Sequence, residues 1–167
     1  MYRILAGAFL LSIGGALPAP VAAQSARAAA MAYVEKAGAG DLYEIRASEL
    51  ALKKAAAPAV RDFAKTMIAQ HDESTRAVIA AARSTGLEPK PPSLEPQQET
   101  MLGALQPLSG TAFDTVYLSQ QRIAHQQALT LHSDFARSGE NPALRRAAAD
   151  IASVVERHIA MLAKLSS

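Results

Sequence analysis

The chain has 167 residues, half of them hydrophobic, with 5% aromatic, 19% charged, no Cys, no Trp and a formal net charge of +2. That length sets one domain as the expectation. The near-balanced charge offers no single-sign field for nucleic acid or anionic lipid, and the absence of thiols excludes disulfides, thiolate metal sites and thiol catalysis. Abundant Ala with few aromatic residues favours packed helices over sheet.

Arg3 precedes an apolar stretch over residues 4–17, which Pro18 and Pro20 end, and Val21-Ala22-Ala23 then offers small residues of the kind a signal peptidase reads. This pattern predicts a cleavable export signal over residues 1–23, a mature domain over 24–167, and a periplasmic or secreted location. No later segment holds about 18 uninterrupted apolar residues, so the mature domain is expected to have no integral membrane span. A Pro-free, Ala- and Leu-rich stretch predicts a first helix over 27–56. Pro58 suits the opening turn of a second over 58–85, which Gly86 stops by accepting the left-handed conformation. Glu88-Pro89-Lys90-Pro91-Pro92 reads as an extended crossover. A short helix over 95–105 follows, then a long one over 111–138. Asn141 is placed to cap a last helix over 142–165, with Pro142 at its first position. The reading is all-α: two helical hairpins joined by a Pro-rich crossover into a four-helix bundle with a short extra helix.

Helical periodicity places certain polar residues on the apolar faces. Glu44 shares a narrow stripe with Ala37, Gly40, Ala47, Ser48 and Ala51, a face small enough for a neighbouring helix to approach closely. His71 follows Ala64, Met67 and Ile68. His158 lies among Ile151, Val154, Val155, Met161, Leu162 and Leu165. His125 shares its face with Leu118, Ala128 and Leu129 but adjoins Gln121 and Arg122. Each long helix thus supplies one ligand type: Glu44, His71, His125 and His158. Metal sites in helical bundles are assembled from such inward carboxylates and imidazoles, because the ion compensates their burial. The set suits one divalent transition metal ion such as Zn, Mn or Fe. Met67 and Met161, four and three residues from a histidine, are softer donors that suit Cu(I), and Met equally fills core gaps.

Dinuclear carboxylate centres in bundles require Glu-x-x-His on two helices, which this sequence lacks. Asp114 and Tyr117, three apart, fit either a buried hydrogen-bonded pair or second-row support for a metal site. His132 stands one heptad after His125, but Gln127, Ser133 and Asp134 around it read as a solvated edge. There is no Gly-rich phosphate loop and no Gly-x-Ser-x-Gly elbow, so no catalytic residues are assigned and enzyme activity is not expected.

The segment from Phe63 to His71, the later Phe113-Asp114-Thr115-Val116-Tyr117 with His125, and His158 near the end resemble the secreted bacterial family called domain of unknown function 4142. The resemblance implies a ferritin-like four-helix bundle exported to the periplasm or outer envelope, and it brings no reaction. The positions that match its recurrent residues are Glu44, Met67, His71, Phe113, Asp114, Tyr117, His125 and His158. The chain departs where Gln70 replaces a common Asp, removing an anionic neighbour of a metal site. It departs again where Ala152-Ser153 replace a Leu-Pro step, which leaves the last helix without a Pro kink. Two functions stay open from sequence. One is an envelope protein of metal handling or stress response binding one divalent ion. The other is a non-catalytic structural module, with an envelope-associated protein partner, whose polar core fixes helix register without metal. The oligomeric state is undetermined by sequence.

Overall fold

The computed structural model describes residues 19–165. Among these residues the chain forms five helices: α1 (Ala19–Lys54), α2 (Pro58–Arg83), α3 (Pro96–Leu105), α4 (Gly110–Ser138) and α5 (Pro142–Lys164). Most of the expected export signal, residues 1–18, lies outside the described residues. Its last residues are helical, because α1 begins well before the predicted position. Pro20 does not break it, since the first helical turn needs no N–H from that residue.

The predicted punctuation is otherwise in place. Gly86 has φ +74°, and the Asn141 side chain accepts hydrogen bonds from the Ala143 and Leu144 N–H groups at 3.1 Å each. Pro58, Pro96 and Pro142 each open a helix. Helix α5 runs unbroken through Ala152-Ser153.

Contacts at the two ends fix the topology. At one end Arg27 donates to the Gly86 carbonyl at 3.1 Å and Asn141 donates to Thr85 Oγ1 at 2.8 Å. At the other, a backbone bridge joins Ala55 to Gly110. Helices α1 and α2 form one hairpin and α4 and α5 the other, with α1 against α4 and α2 against α5. Neighbours run antiparallel throughout, and the linker with α3 returns the chain along the α1–α4 side, the single long crossover of a ferritin-like bundle. At Gly38 the crossover comes close: a Cβ there would stand 3.1 Å from Pro92 Cγ.

Two apolar clusters fill the bundle. One gathers Tyr43, Ala47, Phe63, Met67, Leu105, Phe113, Tyr117 and Leu162, and the other Tyr33, Val34, Ala37, Val78, Leu144, Ile151 and Val155. Between them lies a buried polar layer with Asp41, Glu44, His71, Gln121, His125 and His158.

Candidate metal centre

Three of the four residues selected from sequence meet in that layer. One ring nitrogen from each of His71, His125 and His158 lies within 4.8 Å of the other two, and all three residues are buried. Antiparallel packing of α1 on α4 and α2 on α5 brings the rings level.

Each ring is held by its other nitrogen. His71 Nδ1 is 2.8 Å from Asp41 Oδ1, and Asp41 Oδ2 accepts from Thr75 Oγ1 at 2.9 Å. His125 Nδ1–H donates to the Gln121 carbonyl at 2.8 Å. His158 Nε2–H donates to Gln70 Oε1. With these protons committed, the free lone pairs are His71 Nε2, His125 Nε2 and His158 Nδ1. The last two face each other at 3.2 Å, and His71 Nε2 is buried without a hydrogen-bond partner among the described residues. Imidazole nitrogens bound to one ion at about 2.0 Å stand about 3.3–3.5 Å apart. The His125–His158 pair matches that spacing, His71 lies within 4.8 Å of both, and the pinned outer nitrogens of all three rings fix tautomer and ring direction as metal-bound histidines require, so the donor set fits a metal ion.

Electrostatics sharpen the picture. Burial lowers His125, against an opposing pull from Glu44. Burial and the neighbouring rings of His71 and His125 lower His158 to about 3. His71 alone is raised: burial would lower it, but the hydrogen bond and charge of Asp41, aided by Glu44, prevail. Positive charge is thus favoured at His71 Nε2 and disfavoured at the other two rings, leaving them as neutral donors.

Glu44 is buried where predicted but stands outside the convergence. Its Oε1 is 3.6 Å from His125 Nδ1, the nitrogen pointing away from the three lone pairs, and neither oxygen accepts a hydrogen bond among the described residues. The small face expected to receive a helix at Gly40 opens instead onto a cavity, where an added Cβ would meet nothing within 4 Å. Asp114 and Tyr117 do not form a pair or buttress the histidines. The Asp114 carboxylate accepts from the Ala56 and Ala57 N–H groups at 3.1 and 2.9 Å, bracing the α1–α2 turn, and Tyr117 Oη bonds Ser48 Oγ at 2.8 Å. His132 is no solvated edge: it is 3% exposed, and its Nδ1 is 2.9 Å from the Tyr33 hydroxyl.

Two roles escaped the sequence reading. Asp41 falls on the same stripe as Ala37, Glu44, Ser48 and Ala51, and that heptad run of polar positions was the signal for it. Gln70, read as the loss of an anion, supplies the amide oxygen that orients His158.

The site and scaffold together define a class: an antiparallel four-helix bundle with three buried, outward-pinned imidazoles at mid-height. The chain belongs to the family Domain of unknown function (DUF4142), whose model matches residues 16–165. No curated protein sequence matches the chain. Among solved structures it is similar to CopM in the Cu(I)-bound form, with a TM-score of 0.68 at 19% identity over 81% of this chain and 94% of that one. CopM in the Ag-bound form gives 0.66 at 19%, covering 81% and 93%. CopM in the Cu(II)-bound form gives 0.67 at 19%, covering 81% and 94%. At this identity the likeness establishes the shared fold.

Proposed function

We propose that this protein binds one copper ion through His71 Nε2, His125 Nε2 and His158 Nδ1, and serves metal handling in an exported compartment, with residues 1–23 as the export signal. The observation that carries the reading is the convergence of three lone pairs whose rings are each locked from behind by an acceptor. Two buried imidazole nitrogens facing each other at 3.2 Å repel unless a proton or cation lies between the rings, and burying unpaired polar atoms is costly. The all-imidazole donor set suits Zn, Cu, Fe and Ni alike, and copper is chosen among them on the copper- and silver-bound states of the structurally similar CopM. The ion's charge is balanced by Asp41 and Glu44, both buried beside the rings. Glu44 acts here as a charge neighbour and not as the fourth ligand that its place on α1 suggested.

The test is elemental analysis of mature protein purified without chelator or affinity tag and equilibrated separately with Cu(I), Cu(II), Ag(I) and Zn(II). One copper per chain, lost in His71→Ala with the helical spectrum intact, is the expected result. A folded wild type that retains none of these ions sinks the reading. No helix among the described residues is long and apolar enough to cross a membrane.

A further inference from the structure

The polar layer holds one carboxylate that the three-histidine centre leaves unexplained. Glu44 is 3% exposed, and both its carboxylate oxygens lack a hydrogen-bond partner among the described residues. The nearest histidine proton, on His125 Nδ1, is already given to the Gln121 carbonyl, and the 3.6 Å separation from Glu44 Oε1 is beyond a hydrogen bond. An orphaned buried carboxylate is retained against a large desolvation cost, which calls for a cation that visits it.

The surroundings say where that cation comes from. A cavity of about 530 Å³ opens between α1, α3 and α4, with Glu44, His71 and His125 among its lining and Glu95 and Gln126 at its exposed rim. The second described cavity, under the Pro-rich crossover, reaches none of the three histidines. The wall beside Glu44 is kept open by Gly40, whose missing side chain leaves free space. Resting on the three-histidine reading, we infer that this cavity is the metal ion's access vestibule and that Glu44 is its capture subsite, drawing a cation from solvent to the rim of the imidazole cluster. His158 does not line the cavity, so the ion meets His71 and His125 first and completes its contacts on the buried side. A carboxylate at the floor of a cleft with low-dielectric walls concentrates counter-ions and accelerates their association.

The experiment is stopped-flow uptake of Ag(I), as its nitrate in chloride-free buffer, followed by tyrosine fluorescence, which is undisturbed by Trp in this chain. Glu44→Gln keeps the side chain's size and removes its charge. It is expected to lower the association rate constant about tenfold or more while one ion per chain is still bound at saturation. Gly40→Leu, which obstructs the vestibule, leaves Glu44 intact and replaces a helical Gly with a better helix former, is expected to slow uptake likewise. Uptake at the wild-type rate in either folded variant overturns the inference. So does a folded Glu44→Gln protein that binds no ion at saturation, which would make Glu44 a ligand. A wild type that takes up no Ag(I) and no copper fails the three-histidine reading itself, before any variant is compared.

Discussion

His125 and His132 stand one heptad apart on α4, both buried, yet they occupy opposite situations. His132 Nδ1 meets the Tyr33 hydroxyl at 2.9 Å, and Tyr33 stacks on Phe135 with ring centroids 3.9 Å apart. Burial lowers His132 to about 4, so it is a neutral ring with a matched partner. His125 gives its Nδ1 proton to a backbone carbonyl and turns its lone pair toward two more imidazoles, at ring-centroid distances of 5.7 Å from His71 and 5.2 Å from His158. A histidine whose neighbour completes its hydrogen bonding is core structure. One whose neighbours duplicate its lone pair is half of a binding site.

The comparison breaks most sharply under His71→Ala set against His132→Leu. The first is expected to abolish stoichiometric copper, and with it the metal-induced stabilisation of about 2.7 kcal/mol at a hundredfold excess over Kd. The second is expected to keep both. Paired thermal melts with and without copper decide it, and equal loss in the two variants would erase the distinction.

Acid acts on the same comparison through the unmetallated rings. In the unfolded chain His132 and His158 protonate near 6.5, whereas folded they resist until about 4 and about 3. Between those values the unfolded state binds more protons, so stability falls with pH by about 1.4 kcal/mol per unit for each ring. His125, also lowered, adds in the same direction. His71, raised, contributes stability that is fully present below 6.5 and is lost as pH climbs through its folded value. Urea melts of the apo protein should therefore show greatest stability near neutrality and a steep fall toward pH 4. A flat acid limb would mean the rings are solvated.

Asp41→Asn tests the pinning of His71. The amide keeps the shape but weakens the anchor on Nδ1, and metal affinity is expected to drop about 10- to 100-fold, read by competition with a chelator of known affinity. His132→Leu, free of any metal effect, should still cost about 1–3 kcal/mol in urea, because the buried Tyr33 hydroxyl loses its partner. The smallest effect is expected at Asp114→Ala. Losing its two bonds to the α1–α2 turn costs about 1 kcal/mol, comparable to removing a helix cap, with copper stoichiometry unchanged.

Much of the architecture was written locally. Pro58 and Pro142 at helix starts, Gly86 at a stop and Asn141 as a cap each act within a few residues, so the four long helices and the crossover could be read from the chain. The helix periodicity also selected His71, His125 and His158, since a polar residue on an apolar stripe is a local anomaly. It misjudged residues whose role depends on a partner far along the chain. Asp114 looked like support for Tyr117 and instead braces a turn 57 and 58 residues before it. His132 looked solvated because its sequence neighbours are polar, and it is covered by Tyr33, 99 positions away.

The sequence by itself determined the helices, their breaks and a short set of inward imidazoles, because hydrogen bonding within a helix and the 3.6-residue repeat act over less than two turns. Only the packing of the two hairpins decided that three of those rings meet, that Asp41, Gln121 and Gln70 hold their outer nitrogens, and that Glu44 faces a cavity. Those relations depend on the relative height and rotation of α1, α2, α4 and α5, which are set by how side chains interlock between helices and are encoded in no single stretch of chain.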